Sequence, residues 1–393
     1  MSNAEFVTDP HRRTGIPKGR RMRLRKVATA MVAVGSILAV SACGGGEGGG
    51  GEGDSFSIGV SQLVQHPALD AATEGFKKSF EDAGVDVEWD VQNAQGEQAN
   101  ATSIAQQFAS DDLDLVLAVA TPAAQAAAQA ISDKPVLFTA VTDAEEAGLV
   151  DSNDKPGGNV TGTSDLNPVE EQLKLVKDVK PDAKTVGIVY SSGEVNSQVQ
   201  VDLAKKAAKG LGVKIKEATI ANSGELAQAV DSLGKVDAYY VPTDNNVVSA
   251  VSTMVQAAEK NKALLVGSEA GQVESGAAIT RGIDYTKLGE QTGEMALKIL
   301  QDGKKPAEMP VETSSNLELV VNPKAAKAQG VEIPKKLVDE ADKVIEPNKL
   351  FENIVTINSR QAICSPYFIT SVMLHLCNRI IEYTKSATKS IQS

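Results

Sequence analysis

Cysteine, histidine and arginine are almost missing from the body of this chain. Its 393 residues hold three Cys and three His, and between residues 27 and 346 there is one of each, Cys43 and His66, with a single Arg, Arg281. Zinc clusters, Cys–His pairs and Ser-His-Asp triads need several such groups close together. These classes are excluded, and neither a metal nor a cofactor is expected. Aromatic residues make up 4 %, with one Trp, Trp89. Basic charge is scarce as well: 39 Lys and Arg face 51 Asp and Glu, a net of -12. Residues 1–26 carry +6 and residues 347–393 carry +3, which leaves -21 on the stretch between them. Phosphate backbones are held by clustered Lys and Arg, so no nucleic-acid partner is expected.

What is present begins with a leader. Arg23-Leu24-Arg25-Lys26 precedes an apolar run over 27–40, and Val40-Ser41-Ala42-Cys43 follows it. A basic start, a short apolar run and a small-residue ending are secretory signal logic. Fourteen residues at ~1.5 Å each span about 21 Å, short of the ~30 Å of a bilayer core. The ending on Cys43 resembles the lipobox of bacterial lipoproteins, which makes Cys43 the expected lipidation site. Residues 44–54 read GGGEGGGGEGD, a flexible tether and not a phosphate loop, since no Gly-Lys-Ser/Thr follows. Residues 1–21 read as an upstream extension before Met22, so 1–43 is expected to be extension plus signal peptide.

From Phe56 onward short apolar strands alternate with amphipathic helices. Strands are expected over 56–60, 85–91, 115–120 and 135–139. Helices are expected over 67–83, 99–110 and 122–131, the last with Thr121 as its N-cap. The plan then repeats: strands over 186–190, 214–219, 238–241 and 264–267, helices over 198–211, 224–233 and 246–261. Ala83-Gly84-Val85 and Leu211-Gly212-Val213 lie 128 positions apart. Strand–helix alternation builds parallel sheets covered on both faces, and its repetition implies two similar lobes. The fold class expected is α/β.

In open parallel sheets, small molecules bind at the carboxyl ends of the strands. Those loops here are 62–66, 121–123, 139–143, 191–197, 243–245 and 267–269, and all are polar. Free N–H groups at helix starts suit an anion, whereas Asp244 and Glu269 suit an ammonium. Both kinds on facing lobes fit a zwitterion, an amino acid being the simplest. Each residue also has a plainer reading: Thr121 and Asn245 as caps, His66 as a turn residue before Pro67, Glu194 as a solvated charge.

Eight ordered strings carry a resemblance. They are His66-Pro67-Ala68-Leu69-Asp70, Gln92-Asn93-Ala94-Gln95-Gly96, Ala120-Thr121-Pro122-Ala123-Ala124-Gln125 and Phe138-Thr139-Ala140-Val141-Thr142-Asp143. Further on come Pro156-Gly157-Gly158-Asn159-Val160-Thr161-Gly162, Ser192-Gly193-Glu194, Val241-Pro242-Thr243-Asp244-Asn245 and Gly282-Ile283-Asp284-Tyr285. Residues 56–346 resemble the lipoprotein substrate-binding components of ABC importers of the tryptophan/tyrosine-binding, TrpX-like, group. The resemblance implies a type I periplasmic-binding-protein fold, with two Rossmann-like lobes joined by three crossovers and closing on a small ligand. Its lobes would comprise 55–162 with 283–312, and 163–282 with 313–346.

The resemblance also implies roles. Thr121, Ala123 and Thr142 would meet an α-carboxylate, and Asp244 or Glu269 the ammonium; Arg281 is a second candidate for the carboxylate. The wider set of expected ligand-binding residues is Gln62, His66, Thr139, Asp143, Ser192, Glu194, Asn196, Thr243, Asn245 and Asp284. The protein would be a monomer with no catalytic residue, held extracytoplasmically on the membrane through Cys43 and serving an ABC permease and ATPase. An aromatic amino acid is implied by the resemblance, whereas Trp89 falls on an expected core strand. Two other readings remain: an extracytoplasmic sensor of the same fold, and an enzyme using carboxylates alone, such as Asp143 and Asp244. Residues 347–393 turn Ile-, Asn- and Ser-rich and hold Cys364 and Cys377. They read as an atypical, poorly ordered tail.

Overall fold

The computed structural model describes residues 55–314 and 316–346. The expected leader, Cys43, the glycine-rich tether and the tail lie outside them. The first half of the chain builds β1 (Phe56–Gln62), α1 (Pro67–Ala83), β2 (Val87–Asn93), α2 (Gln98–Ser110), β3 (Leu115–Val119), α3 (Thr121–Ala130), β4 (Val136–Val141) and β5 (Val160–Ser164). After a crossover come α4 (Val169–Val179), β6 (Thr185–Ser191), α5 (Val195–Leu211), β7 (Lys214–Ile220), α6 (Leu226–Ser232) and β8 (Ala238–Val241). Then follow α7 (Asn245–Ser249), α8 (Val251–Asn261), β9 (Leu264–Gly267), α9 (Ala270–Glu274) and β10 (Ile279–Ile283). The chain returns through α10 (Tyr285–Leu300) and β11 (Glu312–Thr313), and the described residues close with β12 (Leu317–Val321), α11 (Pro323–Ala328), α12 (Lys335–Asp339) and β13 (Lys343–Val344).

Two sheets result. One runs β11-β5-β4-β3-β1-β2 and the other β13-β12-β10-β9-β8-β6-β7. Each contains the same five-strand parallel order, in which the first strand sits between the second and the third. The internal repeat is therefore a repeat of topology. The helices α1 and α5 are both 17 residues long, and each ends on a glycine in the left-handed region, Gly84 at φ 67 and Gly212 at φ 65. A side chain there would be strained, so the Gly-Val pairs are helix stops. The strand β12 lies antiparallel to β10 in the second sheet.

Three segments differ from the sequence expectation. The strand β5 continues to Ser164 and pairs with β4, so the first sheet extends past residue 162. Its sequence, Val-Thr-Gly-Thr-Ser, alternates too weakly to stand out. The helix expected over 246–261 is two helices parted at Ala250, whose φ of -117 leaves the helical region. Thr121 does not cap α3: it is the first helical residue, and the capping position belongs to Ala120.

The first core gathers around Phe76, Phe80 and Phe108. Trp89 stands edge-on to Phe76 and Phe80, with ring centroids 5.9 and 5.5 Å away. The only Trp is a packing residue. The helix α10 follows the five parallel strands of the second sheet in sequence yet packs on α1, in the first lobe. Backbones meet closely there: a Cβ on Gly289 would lie 2.0 Å from the Ala72 carbonyl oxygen.

Candidate ligand-binding site

In each sheet the loops after the first and third strands leave in opposite directions, which opens a crevice between them. The two crevices face one another, and the residues at their rims are polar and buried. A small cavity between the lobes is lined by His66, Ala68, Leu69 and Ala140 from the first lobe and by Asn196, Thr243, Asn245, Val248 and Glu269 from the second. Asp165 and Tyr285, on two of the crossovers, complete it. It encloses about 10 Å³, on the order of one water. A larger occupant therefore requires the lobes to stand further apart.

The lobes touch through specific atoms. His66 Nε2 lies 3.4 Å from Asn245 Oδ1, and Gln200 Nε2 donates to Thr142 Oγ1 at 3.5 Å. A Cβ on Gly271, at the start of α9, would come within 2.9 Å of Pro67 at the start of α1.

Acidic groups dominate the interior. Asp165, Glu194, Asp244 and Glu269 are all buried, and none of them is in an ion pair among the described residues. Burial in a medium of low dielectric favours the neutral acid and pushes all four upward. Glu269 reaches about 7, while Glu194 is raised further by the charge of neighbouring Asp244. Burial holds His66 down to about 4, so its imidazole is neutral at physiological pH.

The carboxylates differ in what they hold. Asp244 accepts from the Ser191 N–H at 2.5 Å, Ser191 Oγ at 2.9 Å, Ser197 Oγ at 2.7 Å and the Val247 N–H at 2.9 Å. Both of its oxygens are occupied by the protein, and it does not line the cavity. Expected from sequence as a candidate for the ammonium, it is a fully buried brace between β6, α5 and α7. Glu194 accepts the amides of Asn196, Asn245 and Asn246. Glu269 caps α9, taking the Gly271 and Gln272 N–H groups at 2.5 and 2.9 Å. Each of its oxygens keeps acceptor capacity toward the cavity. Asp165 accepts Thr142 Oγ1 at 3.0 Å and the Tyr285 hydroxyl at 2.5 Å. Neither Asp165 nor Tyr285 stands among the residues expected from sequence, because what marks them is a partner about 120 positions away.

Several buried polar atoms have no partner: Ser61 Oγ, His66 Nδ1, Thr121 Oγ1 and Asn196 Oδ1 are four of them. All sit at the carboxyl edges of the sheets. Thr121 begins α3, whose first turn leaves the N–H groups of Thr121 and Ala123 without intrahelical acceptors. The backbone feeding that turn is strained: Ala120 has φ 82 and ψ 154, and Ala140 has φ 56. Such conformations persist where the surroundings over-determine them.

The remaining expected residues scatter. Gln62 does not line the cavity and is engaged by the first lobe, donating to Val64 O and Asp70 and accepting from Thr73. Thr139 is buried against Thr163. Asp143 and Ser192 line a separate, solvent-facing groove that Glu194 also borders. Asp284 caps α10 through the Thr286 and Lys287 N–H groups. Arg281 pairs with Glu171 at 3.7 Å near the surface. No group of three or more potential metal-ligating side chains occurs among the described residues.

Residues 57–345 match the family model of ABC transporter substrate binding proteins. The chain belongs to that family. It is similar to the tyrosine-binding protein of Clostridioides difficile (strain R20291), 46 % identical over 277 residues, which are 69 % of this chain and 80 % of the relative. A solved ABC domain from Streptococcus pneumonia in complex with L-Trp is 39 % identical, with a TM-score of 0.70, over 73 % of this chain and all of the other. The ligand-free, open structure of a Clostridium difficile substrate binding protein is 45 % identical and covers 75 % of this chain and all of the other, with a TM-score of 0.58. The two lobes are those of a periplasmic-binding-protein fold, and the protein is the substrate-binding component of an ABC transporter.

Proposed function

We propose that this family member captures an aromatic amino acid, tyrosine or tryptophan, by closing its lobes around it. The observation that carries the reading is a cavity walled by Asp165 and Glu269, with no cation paired to either among the described residues. An ammonium supplies that missing charge, and Thr121, which does not line this cavity, offers an unpartnered hydroxyl at the edge of the first sheet that suits the carboxylate once the lobes part. The relatives named for tyrosine and crystallised with L-Trp support the ligand class. The likeness in shape is greater to the L-Trp complex than to the open form, although identity is greater to the latter. This supports a closed arrangement of the lobes here, and because its cavity holds about one water, ligand would be held with the lobes standing further apart than this.

The ammonium is assigned to Asp165 and Glu269 rather than to Asp244. The lobes are divided at the crossovers near 165–168, 284 and 314–316. The protein is passive in chemistry, and its position outside the cytoplasm is in keeping with its family. Lipidation at Cys43, attachment to the membrane, a monomeric state and delivery to a permease with its ATPase complete the proposal. A thermal-shift and calorimetric screen of the purified protein against amino acids, nucleosides and sugars tests it. Tyrosine or tryptophan is expected to stabilise it, by about 2.7 kcal/mol at a hundredfold excess over Kd. Stabilisation by a sugar or nucleoside and by no amino acid would overturn the ligand assignment.

A further inference from the structure

Each lobe contributes to the cavity lining one residue with a buried acceptor atom that has no partner among the described residues. His66 is 8 % exposed and Asn196 is 4 % exposed, and both line the cavity. Their hydrogen-bond partners fix which atom of each is free. Asn245 Nδ2 donates to Glu194 Oε2 at 2.6 Å, so Asn245 Oδ1 is the acceptor that faces His66. The imidazole must then carry its proton on Nε2, and Nδ1 keeps a bare lone pair. Asn196 Nδ2 donates to Glu194 Oε2 at 2.9 Å and to the Thr243 carbonyl at 3.0 Å. A carbonyl oxygen cannot donate, so the amide cannot be turned round, and Asn196 Oδ1 is likewise a bare acceptor. Both atoms are without a partner.

Their place in the cavity matters. Asp165 and Tyr285 lie on crossovers and mark the hinge end, where Glu269 also acts on Tyr285. His66 meets Asn245, and Asn196 and Asn245 both donate to Glu194 Oε2, so His66 and Asn196 stand close together in the lining. Ala68, Leu69 and Val248 supply apolar wall. With the lobes parted enough to admit it, a ligand whose ammonium met Asp165 and Glu269 would find this apolar wall and the two free acceptors in the same lining.

We propose that His66 Nδ1 and Asn196 Oδ1 read a hydrogen-bond donor at the far end of the ligand's side chain. The site would then select the phenol of tyrosine or the indole N–H of tryptophan over the bare ring of phenylalanine. This inference rests on the amino-acid reading above and adds a selection rule to it. A buried acceptor left unpaired is costly, so a site built around a ligand O–H or N–H rejects the analogue that lacks it. An acceptor pair divided between the lobes also ties recognition to closure, because only the closed arrangement brings both to one donor.

The test is calorimetric titration of the full chain with L-tyrosine, L-tryptophan, L-phenylalanine and O-methyl-L-tyrosine, which keeps the ring and oxygen but has no donor. Tyrosine or tryptophan is expected to bind at least about a hundredfold more tightly than phenylalanine or O-methyl-tyrosine. In His66→Phe the tyrosine affinity should fall about tenfold or more while the phenylalanine affinity holds or improves. The ratio of the two is the readout that general damage to the site would not move. Asn196→Ala provides the same ratio should His66→Phe fail to fold. Equal binding of tyrosine and phenylalanine by the unaltered protein, or an unchanged ratio in a folded variant, would overturn the inference and leave the amino-acid reading standing. Binding of none of the four, with stabilisation by a sugar or nucleoside instead, would remove both.

Discussion

The Tyr285 hydroxyl donates to Asp165 Oδ2 at 2.5 Å, joining two crossover segments that are 120 residues apart in sequence. Beside this bond, Asn167 Oδ1 accepts the Ile283 N–H at 3.2 Å. The pair thus both ties two crossover segments together and walls the cavity between the lobes. Tyr285→Phe keeps the ring and removes one donor from a buried carboxyl group. A loss of about 1–3 kcal/mol is expected, visible in urea unfolding and as weaker amino-acid binding. Unfolding and affinity both unchanged would show that the bond does not support the closed form.

Asp244 and Thr121 should separate stability from binding. Asp244→Ala strands four buried donors, so the free protein should lose roughly 3 kcal/mol or more. Thr121 Oγ1 has no partner to lose. Thr121→Ala should leave free-protein melting within about 0.5 kcal/mol and weaken amino-acid binding by about 1–3 kcal/mol. Paired denaturation and titration curves read both quantities, and the opposite pattern would reverse the roles.

Acidity should stabilise the ligand-free protein in one window. Glu269 is raised from 4.5 to about 7, and Glu194 is raised too, so the folded state binds more protons than the unfolded state below those values. Stability then falls as pH rises through them. His66 acts in the other direction, but only between about 4 and 6.5. Between pH 6.5 and 8 the carboxyl groups act alone, and the melting temperature should drop. Glu269→Gln should flatten the slope. A melting temperature that rises over this range would refute the assignment of buried, raised carboxyl groups.

Gly289 meets the Ala72 carbonyl where α10 crosses α1. Gly289→Ala forces the two backbones apart and should destabilise by about 1–3 kcal/mol. Urea unfolding measures it, and a neutral result would mean that this crossing tolerates separation.

The lipid anchor is tested at Cys43. Cys43→Ala should leave the protein unanchored or its precursor unprocessed, as read by fractionating cells into membrane and soluble material. Normal membrane retention of the variant would refute the anchor.

Much of the fold was legible because period and punctuation are local. The Gly-Val stops at Gly84 and Gly212, and the buried runs at β3 and β4, announce themselves within a few residues. The site was legible as a set of loops but not as contacts. Asp244 reads as a free carboxylate in its loop, and only the fold brings Ser191 and Ser197 onto it from 53 and 47 positions away. Thr121 reads as a cap, and the strained backbone of Ala120 is what displaces it from that duty. Asp165 and Tyr285 carry no local signal at all, since each gains meaning only from the other.

The packing of α10 on α1 has a consequence for biogenesis. The first lobe receives one of its main helices from a segment made after five strands of the second sheet. A chain emerging N-terminus first would expose the face of α1 around Ala72, Gly75 and Ser79 until residues 285–300 arrive, some 200 residues later. Folding of the two lobes is therefore interleaved rather than sequential, and slow in the way that long-range contacts make it. A truncation after β5 would not release an independent first lobe, but a fragment with an open seam for chaperones or proteases to find.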